Sequence, residues 1–283
     1  MKKIICFTTF LIFLHIPLMA QNDAGEPPPY SVNEGMLVGY GTYNVRNSYV
    51  TEPSYTGKGI SVLNDRMKLI SWMDYHISSQ QIFHAELSDT ENPASTISAL
   101  SGYVDYSHGY HYRFQPVDKL KVLAGVNLSG LLGFFYNTHN GNNSIAMNAD
   151  IDLNLSAIAI YAIPLKHRQL TLRLQSEMAV AGALFAPGYE QSYYEIFSLG
   201  NTDGIVSFSS LHNKTAIRNY FTVDLPVRNL TLRTGYLNNI YYTDIHGIKI
   251  HKISHSIMIG LVKEFNAFGG RKLKSNSFRS AYY

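Results

Sequence analysis

The sequence predicts an all-β fold, an antiparallel up-and-down transmembrane β-barrel of about ten strands. Three observations predict it. Long segments alternate apolar and polar residues with a period of two. No stretch after residue 20 reaches the roughly 18 consecutive apolar residues a transmembrane helix needs. The chain carries 21 Tyr and 14 Phe but is only 15% charged, a balance that suits a barrel girdled by aromatics.

Residues 1–20 read as an export signal, with Lys2 and Lys3 ahead of an apolar run and Leu18-Met19-Ala20 as the cleavage site after Ala20. His15 and Pro17 break the run, which is too short to span about 30 Å of hydrocarbon. The single cysteine, Cys6, leaves with the signal, so the mature chain has no disulfide, thiolate nucleophile, cysteine metal site or cleavage-site cysteine to acylate. Loss of Lys2 and Lys3 lowers the formal charge from +3 to about +1, which gives no reason to expect nucleic acid. Residues 21–33, with Pro27-Pro28-Pro29, read as an extended linker.

The barrel is expected over residues 34–265, with strands at 36–47, 58–72, 75–89, 98–114, 119–138, 144–163, 168–185, 214–227, 229–243 and 249–265. Strands six and seven show the pattern best. Ile145, Met147, Ala149, Ile151, Leu153, Leu155, Ala157, Ala159, Tyr161 and Ile163 share one face; Ser144, Asn148, Asp150, Asp152, Asn154 and Ser156 share the other. In the seventh, Leu170, Leu172, Leu174, Met178, Val180 and Leu184 oppose Thr171, Arg173, Gln175 and Glu177. The fourth and eighth alternate likewise. The second is the poor fit, because Asn64, Asp65, Arg66 and Lys68 put polar or charged groups on both faces, and a bulge or a strand end outside the bilayer is expected there. Tight turns near Met73-Asp74, 115–118, 164–167 and Arg228 alternate with mostly longer links at 48–57, 90–97, 139–143 and 186–213, the asymmetry of outer-membrane barrels. The brief 244–248 link is the exception. Residues 266–283 form a basic periplasmic tail carrying Arg271, Lys272, Lys274 and Arg279. Alternation alone leaves a second option, a soluble periplasmic barrel with its apolar face turned inward on a lipid.

Four segments carry a resemblance: Tyr55-Thr56-Gly57-Lys58-Gly59, Thr90-Glu91-Asn92-Pro93-Ala94, the run 191–201 (QSYYEIFSLGN) and Asp224-Leu225-Pro226-Val227-Arg228-Asn229. They are similar to a Bacteroidetes-type family of exported proteins known only as a domain of unknown function. The resemblance implies a Bacteroidetes outer membrane and brings no activity, cofactor or catalytic residue with it.

Candidate chemistry is sparse. Asp150, Asp152, Arg173, Glu177, Arg218, Asp224 and Arg233 fall on the polar face and form an expected lumenal network, since buried charges must pair or cost several kcal/mol each. An open pore is disfavoured because aqueous channels usually need about 16 strands. His84, Glu86 and Asp105 fall close enough for a weak metal site, at a spacing that matches no zinc signature. Asp89 and Glu91 in one loop and Asp244 with His246 in another resemble the acidic and Asp/His pairs of omptin-type peptidases, with Asp/Glu in place of Asp/Asp. A lipase-like His76-Ile77-Ser78 points to the lumen, and His255 and Ser256 point to opposite faces, so neither can act on the outer leaflet. The loop 186–213 offers Tyr189, Tyr193, Tyr194 and Phe197 either as surface-binding anchors or, through residues 194–199, as a cap on the mouth. The expected partners are outer-membrane lipid, the outer-membrane assembly machinery and an unidentified surface ligand; no cofactor is expected. The function read here is surface binding, adhesion or envelope structure; the alternatives are an omptin-like hydrolase, a narrow pore and the soluble lipid binder.

Overall fold

Alternation over 14 to 20 residues at a time can enclose one largely polar face only if the strands close on themselves, and they do. The computed structural model describes residues 30–139, 144–165, 169–227, 230–266 and 279–280. In chain order the strands are β1 (Tyr30–Asn47), β2 (Thr51–Ile70), β3 (Ile77–Glu91), β4 (Ser98–Val117), β5 (Leu120–Asn137), β6 (Ile145–Pro164), β7 (Gln169–Phe185), β8 (Val206–Ser210), β9 (Lys214–Val227), β10 (Leu230–Ile245), β11 (Ile248–Asn266) and β12 (Arg279–Ser280). Ten form the wall: β1 to β7 and β9 to β11 pair antiparallel in sequence order, and β11 pairs with β1 to close it. From Leu120 the register runs through Tyr161, Leu172, Val223, Thr234, Ile259, Val38, Val62, Ala85 and Val104 to Leu132, 12 residues along the starting strand. At ~3.3 Å per residue and ~4.8 Å per strand, that shear tilts the strands by about 40°.

The barrel is inside-out. On β6, Ile145, Met147, Ile151, Leu153, Leu155 and Tyr161 are exposed, while Asn148, Asp150, Asp152, Asn154 and Ser156 are buried in the lumen. β1, β4 and β11 show the same sense, with Met36, Val38, Tyr106, Phe114, Ile257 and Leu261 outside. The interior is polar only in part. Met67, Leu69, Leu123, Ile158 and Ile160 close the end near residues 71–76. Tyr43, Val45, Tyr55, Phe135 and Ile248 help close the other end, and Leu37, Leu63, Ile82, Tyr220, Leu237 and Met258 form a third apolar cluster.

Several expectations need correction. β1 starts at Tyr30, inside the predicted linker, and β2 starts at Thr51, so the expected loop 48–57 is a three-residue turn. β2 has no bulge at Asn64–Lys68; Asp65 points inward between Leu63 and Met67, and Asn64, Arg66 and Lys68 lie on the outer face near the strand's end. The irregularities fall instead near Val45–Asn47, between Phe114 and Val117 at the end of β4, and in β7 opposite Leu153 and Asn154, where the register skips Val180. That extra residue reverses the alternation, so Leu184 is buried, not lipid-facing. The link at Met73-Asp74 is a six-residue segment that turns through three residues of positive φ, Met73, Asp74 and Tyr75 (51°, 52° and 66°). β8 and β12 were not expected; β12 pairs parallel with Tyr30 and Ser31, inside the predicted tail. The signal, most of the linker, most of the tail and Arg228 lie outside the described residues.

Candidate functional site

The lumen holds a connected set of charges. Asp65 accepts hydrogen bonds from Arg173, from Gln80 Nε2 at 2.9 Å and from Arg233 Nη1 at 3.3 Å. Arg233 also grips Asp224 with two bonds of 2.6 and 2.7 Å, the fork geometry a guanidinium offers a carboxylate. Arg173 reaches Gln175, which donates to Glu177 at 2.6 Å; Asn127 donates to the same carboxylate at 2.8 Å. Arg218 pairs with Asp105, and Lys214 bridges Asp150 and Asp152 at 2.8 and 2.6 Å. All seven lumenal charges named from the sequence point inward.

His84, Glu86 and Asp105 do meet. His84 Nδ1 donates to Asp105 at 2.8 Å, and its Nε2 lies 3.7 Å from Glu86. The carboxylates, however, are engaged by Arg218 and by Lys252, whose ammonium sits 3.9 Å from the Tyr103 ring centroid. Among the described residues no group of three His, Asp or Glu side chains is arranged to hold a metal ion. A cavity of about 70 Å³ between Asp105, Asp152, Glu177, Arg218 and Tyr241 has room for a few water molecules.

The loop candidates do not converge. Asp89 and Glu91 are exposed on the outer face of β3, whereas Asp244 sits on the outer face of β10 with Lys249 at 3.9 Å. β2, β1 and β11 stand between those strands, a separation of roughly 19 Å along the wall at ~4.8 Å per strand. His246 occupies a two-residue His-Gly turn, both residues with positive φ (54° and 76°), and its Nδ1 lies 3.1 Å from the Ala186 carbonyl oxygen. Asp89, Glu91 and Asp244 thus face outward on separate parts of the wall, and the structure does not bring the two pairs together.

The long loop divides into two parts. Residues 186–193 cross the mouth: Tyr189 hydroxyl bonds Ser48 at 2.8 Å, Tyr49 donates to the Gln191 carbonyl at 2.9 Å, and the Met147 amide donates to the Tyr193 hydroxyl at 2.6 Å. Burial pushes the Tyr193 phenol up to about 12, so it remains neutral at physiological pH. A one-turn π-helix (Glu195–Leu199) then turns outward, leaving Tyr194 and Phe197 largely exposed. The cap is therefore the stretch before Tyr194, not residues 194–199. Ser192 and Glu195 form a capping box at the helix start, and Gly200, at φ 77°, terminates it. Hydrogen bonds from the Ser192 amide and hydroxyl hold the Glu195 carboxyl below its ordinary value.

Sequence reasoning missed Asp65, Lys214 and Lys252 as lumenal partners. The signal for Lys252 was present, two and four residues before the inward Ser254 and Ser256. It also missed Ser192-Tyr193-Tyr194-Glu195, a recognisable capping pattern.

Set against known proteins, the profile of a family described as "Protein of unknown function (DUF3316)" matches residues 5–272. No curated protein matches. Among solved structures, the outer membrane protease OmpT from Escherichia coli is similar at 8% identity and a TM-score of 0.45, covering 87% of this chain and 99% of that one. The transport unit of the autotransporter AIDA-I from Escherichia coli is similar at 10% identity and 0.43, covering 92% and 97%. The COG4313 outer membrane channel from Pseudomonas putida F1 is similar at 9% identity and 0.34, covering 87% and 100%.

Proposed function

Because the chain belongs to the DUF3316 family of proteins of unknown function, its own geometry has to supply the functional reading, and we propose a closed outer-membrane barrel that works through its outer surface. The role is surface binding, adhesion or support of the envelope, in a Bacteroidetes-type outer membrane reached through the signal at residues 1–20. The observation that carries this reading is the occupied interior. Ion pairs fill the middle of the lumen, apolar clusters close both ends, and residues 186–193 cross the mouth, while Tyr194 and Phe197 keep their rings exposed beyond the cap. Tyr189 and Tyr193 then serve as anchors of the cap, and Tyr194 and Phe197 as the surface a ligand meets.

The test is conductance of the refolded full chain in planar bilayers, together with hydrolysis of a fluorogenic peptide library. A closed surface protein leaves conductance at the level of the empty membrane and cleaves nothing. Discrete conductance steps favour the narrow pore instead, and cleavage abolished by His246→Ala favours the hydrolase.

A further inference from the structure

β8 is too short to belong to the wall, yet it follows the wall's rule. Its sequence, VSFSS, turns Ser207 and Ser209 inward and leaves Val206 and Phe208 about two-thirds exposed, and Leu211 in the following turn is also largely exposed. A hairpin extension standing in water has no cause to turn its apolar side outward; one that lies against hydrocarbon does. The register makes the surface continuous. Ile151 on β6 pairs with Ala183 on β7, which pairs with Phe208 on β8, so Phe208 extends an outward row of the barrel. From Tyr161 up to Ile151, at ~3.3 Å per residue and a ~40° tilt, β6 climbs ~25 Å, about the height of the apolar band of such barrels, and Met147 and Ile145 continue its apolar face above that level. Carried round with the shear, the same level falls near Lys58 and Asp89, register partners on β2 and β3, where outward charge begins.

β8 also stands where the wall changes partner. β7 leaves β9 after Met178 and Ile217 and takes β8 from Ala181 onward, so the loop is stitched into the upper rim. The stacked rings of Phe185 and Phe197, 6.4 Å apart, tie the π-helix to the same outer face just above.

We infer that β8 and its turn, through Phe208 and Leu211, are seated in the acyl chains at the outer edge of the bilayer, and that this seat fixes how the loop presents Tyr194. The inference rests on the transmembrane reading. The test uses the full chain in a Trp72→Phe background, which removes the sole tryptophan, with single tryptophans placed by Phe208→Trp, Leu155→Trp and Tyr194→Trp. Each is refolded into phosphatidylcholine vesicles and exposed to acyl-brominated lipid or to aqueous iodide. Leu155→Trp, in the middle of the band, and Phe208→Trp should both lose most of their emission to brominated lipid and little to iodide; Tyr194→Trp should do the reverse. Iodide quenching of Phe208→Trp, with Leu155→Trp still quenched by lipid, overturns the seat alone. Leu155→Trp untouched by brominated lipid overturns the transmembrane reading itself. Should Phe208→Trp fail to fold, Leu211→Trp reports the same surface with the same two outcomes.

Discussion

Asp65→Ala is the most informative single substitution in the lumen. Asp65 is buried and accepts from Arg173, Arg233 and Gln80, and both guanidinium groups are fully buried. Its removal leaves Arg233 with Asp224 and takes from Arg173 a carboxylate that it bonds directly. Breaking a buried pair at one end costs about 3–5 kcal/mol, against roughly 0.5 kcal/mol for an exposed control such as Glu91→Ala. Asp65→Asn keeps the shape and one acceptor, so its cost should fall between the two, near the ~1.5–3 kcal/mol of a charged hydrogen bond. The assay is urea unfolding of the lipid-refolded barrel, read by gel migration without boiling. A double-mutant cycle with Arg173→Met adds the decisive comparison, because a neutral side chain removes the buried cation beside the missing carboxylate, and the double variant should be less destabilised than Asp65→Ala alone. An Asp65→Ala barrel within 0.5 kcal/mol of wild type, with no coupling to Arg173, would refute the view that ion pairs hold the lumen.

Further outcomes follow from particular contacts. A Cβ at Gly133 would lie 2.3 Å from the Tyr103 ring, so Gly133→Val should displace the ring that receives Lys252 and cost about 1–3 kcal/mol in the same unfolding assay. His246→Val should cost ~1–2 kcal/mol, since a β-branched residue resists the positive φ of the His-Gly turn, while His246→Asn should be nearly neutral. Glu195 has a folded pKa below its ordinary value of 4.5, so its contribution is complete above that value and is lost as pH falls through the depressed one. Protection of the 192–201 amides from hydrogen exchange should therefore drop in acid, and Glu195→Gln should lack that drop at any pH.

The wall was legible because its signal is repeated: all but the second of its strands alternate plainly over a long span, so errors at the ends do not accumulate. The Lys214–Val227 strand is placed to the residue, and most others to within three. What sequence could not show was where parity breaks. The extra residue at Val180 looks like any other in an apolar run, and it alone carries Leu184 from the lipid face to the lumen. Asp65 was misread for a related reason, since its polar neighbours Asn64 and Arg66 face outward near a strand end and hide the alternation. Pairing across the lumen joins residues such as Asp65 and Arg173, 108 positions apart, and no local pattern records that distance. The loop residues Asp89, Glu91, Asp244 and His246 show the converse: their types suit hydrolysis, and the topology puts three strands between them.

The central claim is that this chain crosses the outer membrane as a closed barrel with its apolar face outward. Cell fractionation followed by gel migration with and without boiling tests it most directly. The account predicts recovery in the outer membrane and slower migration after boiling, as a compact barrel unfolds. A protein recovered in the soluble periplasm, with the same migration before and after boiling, would contradict it.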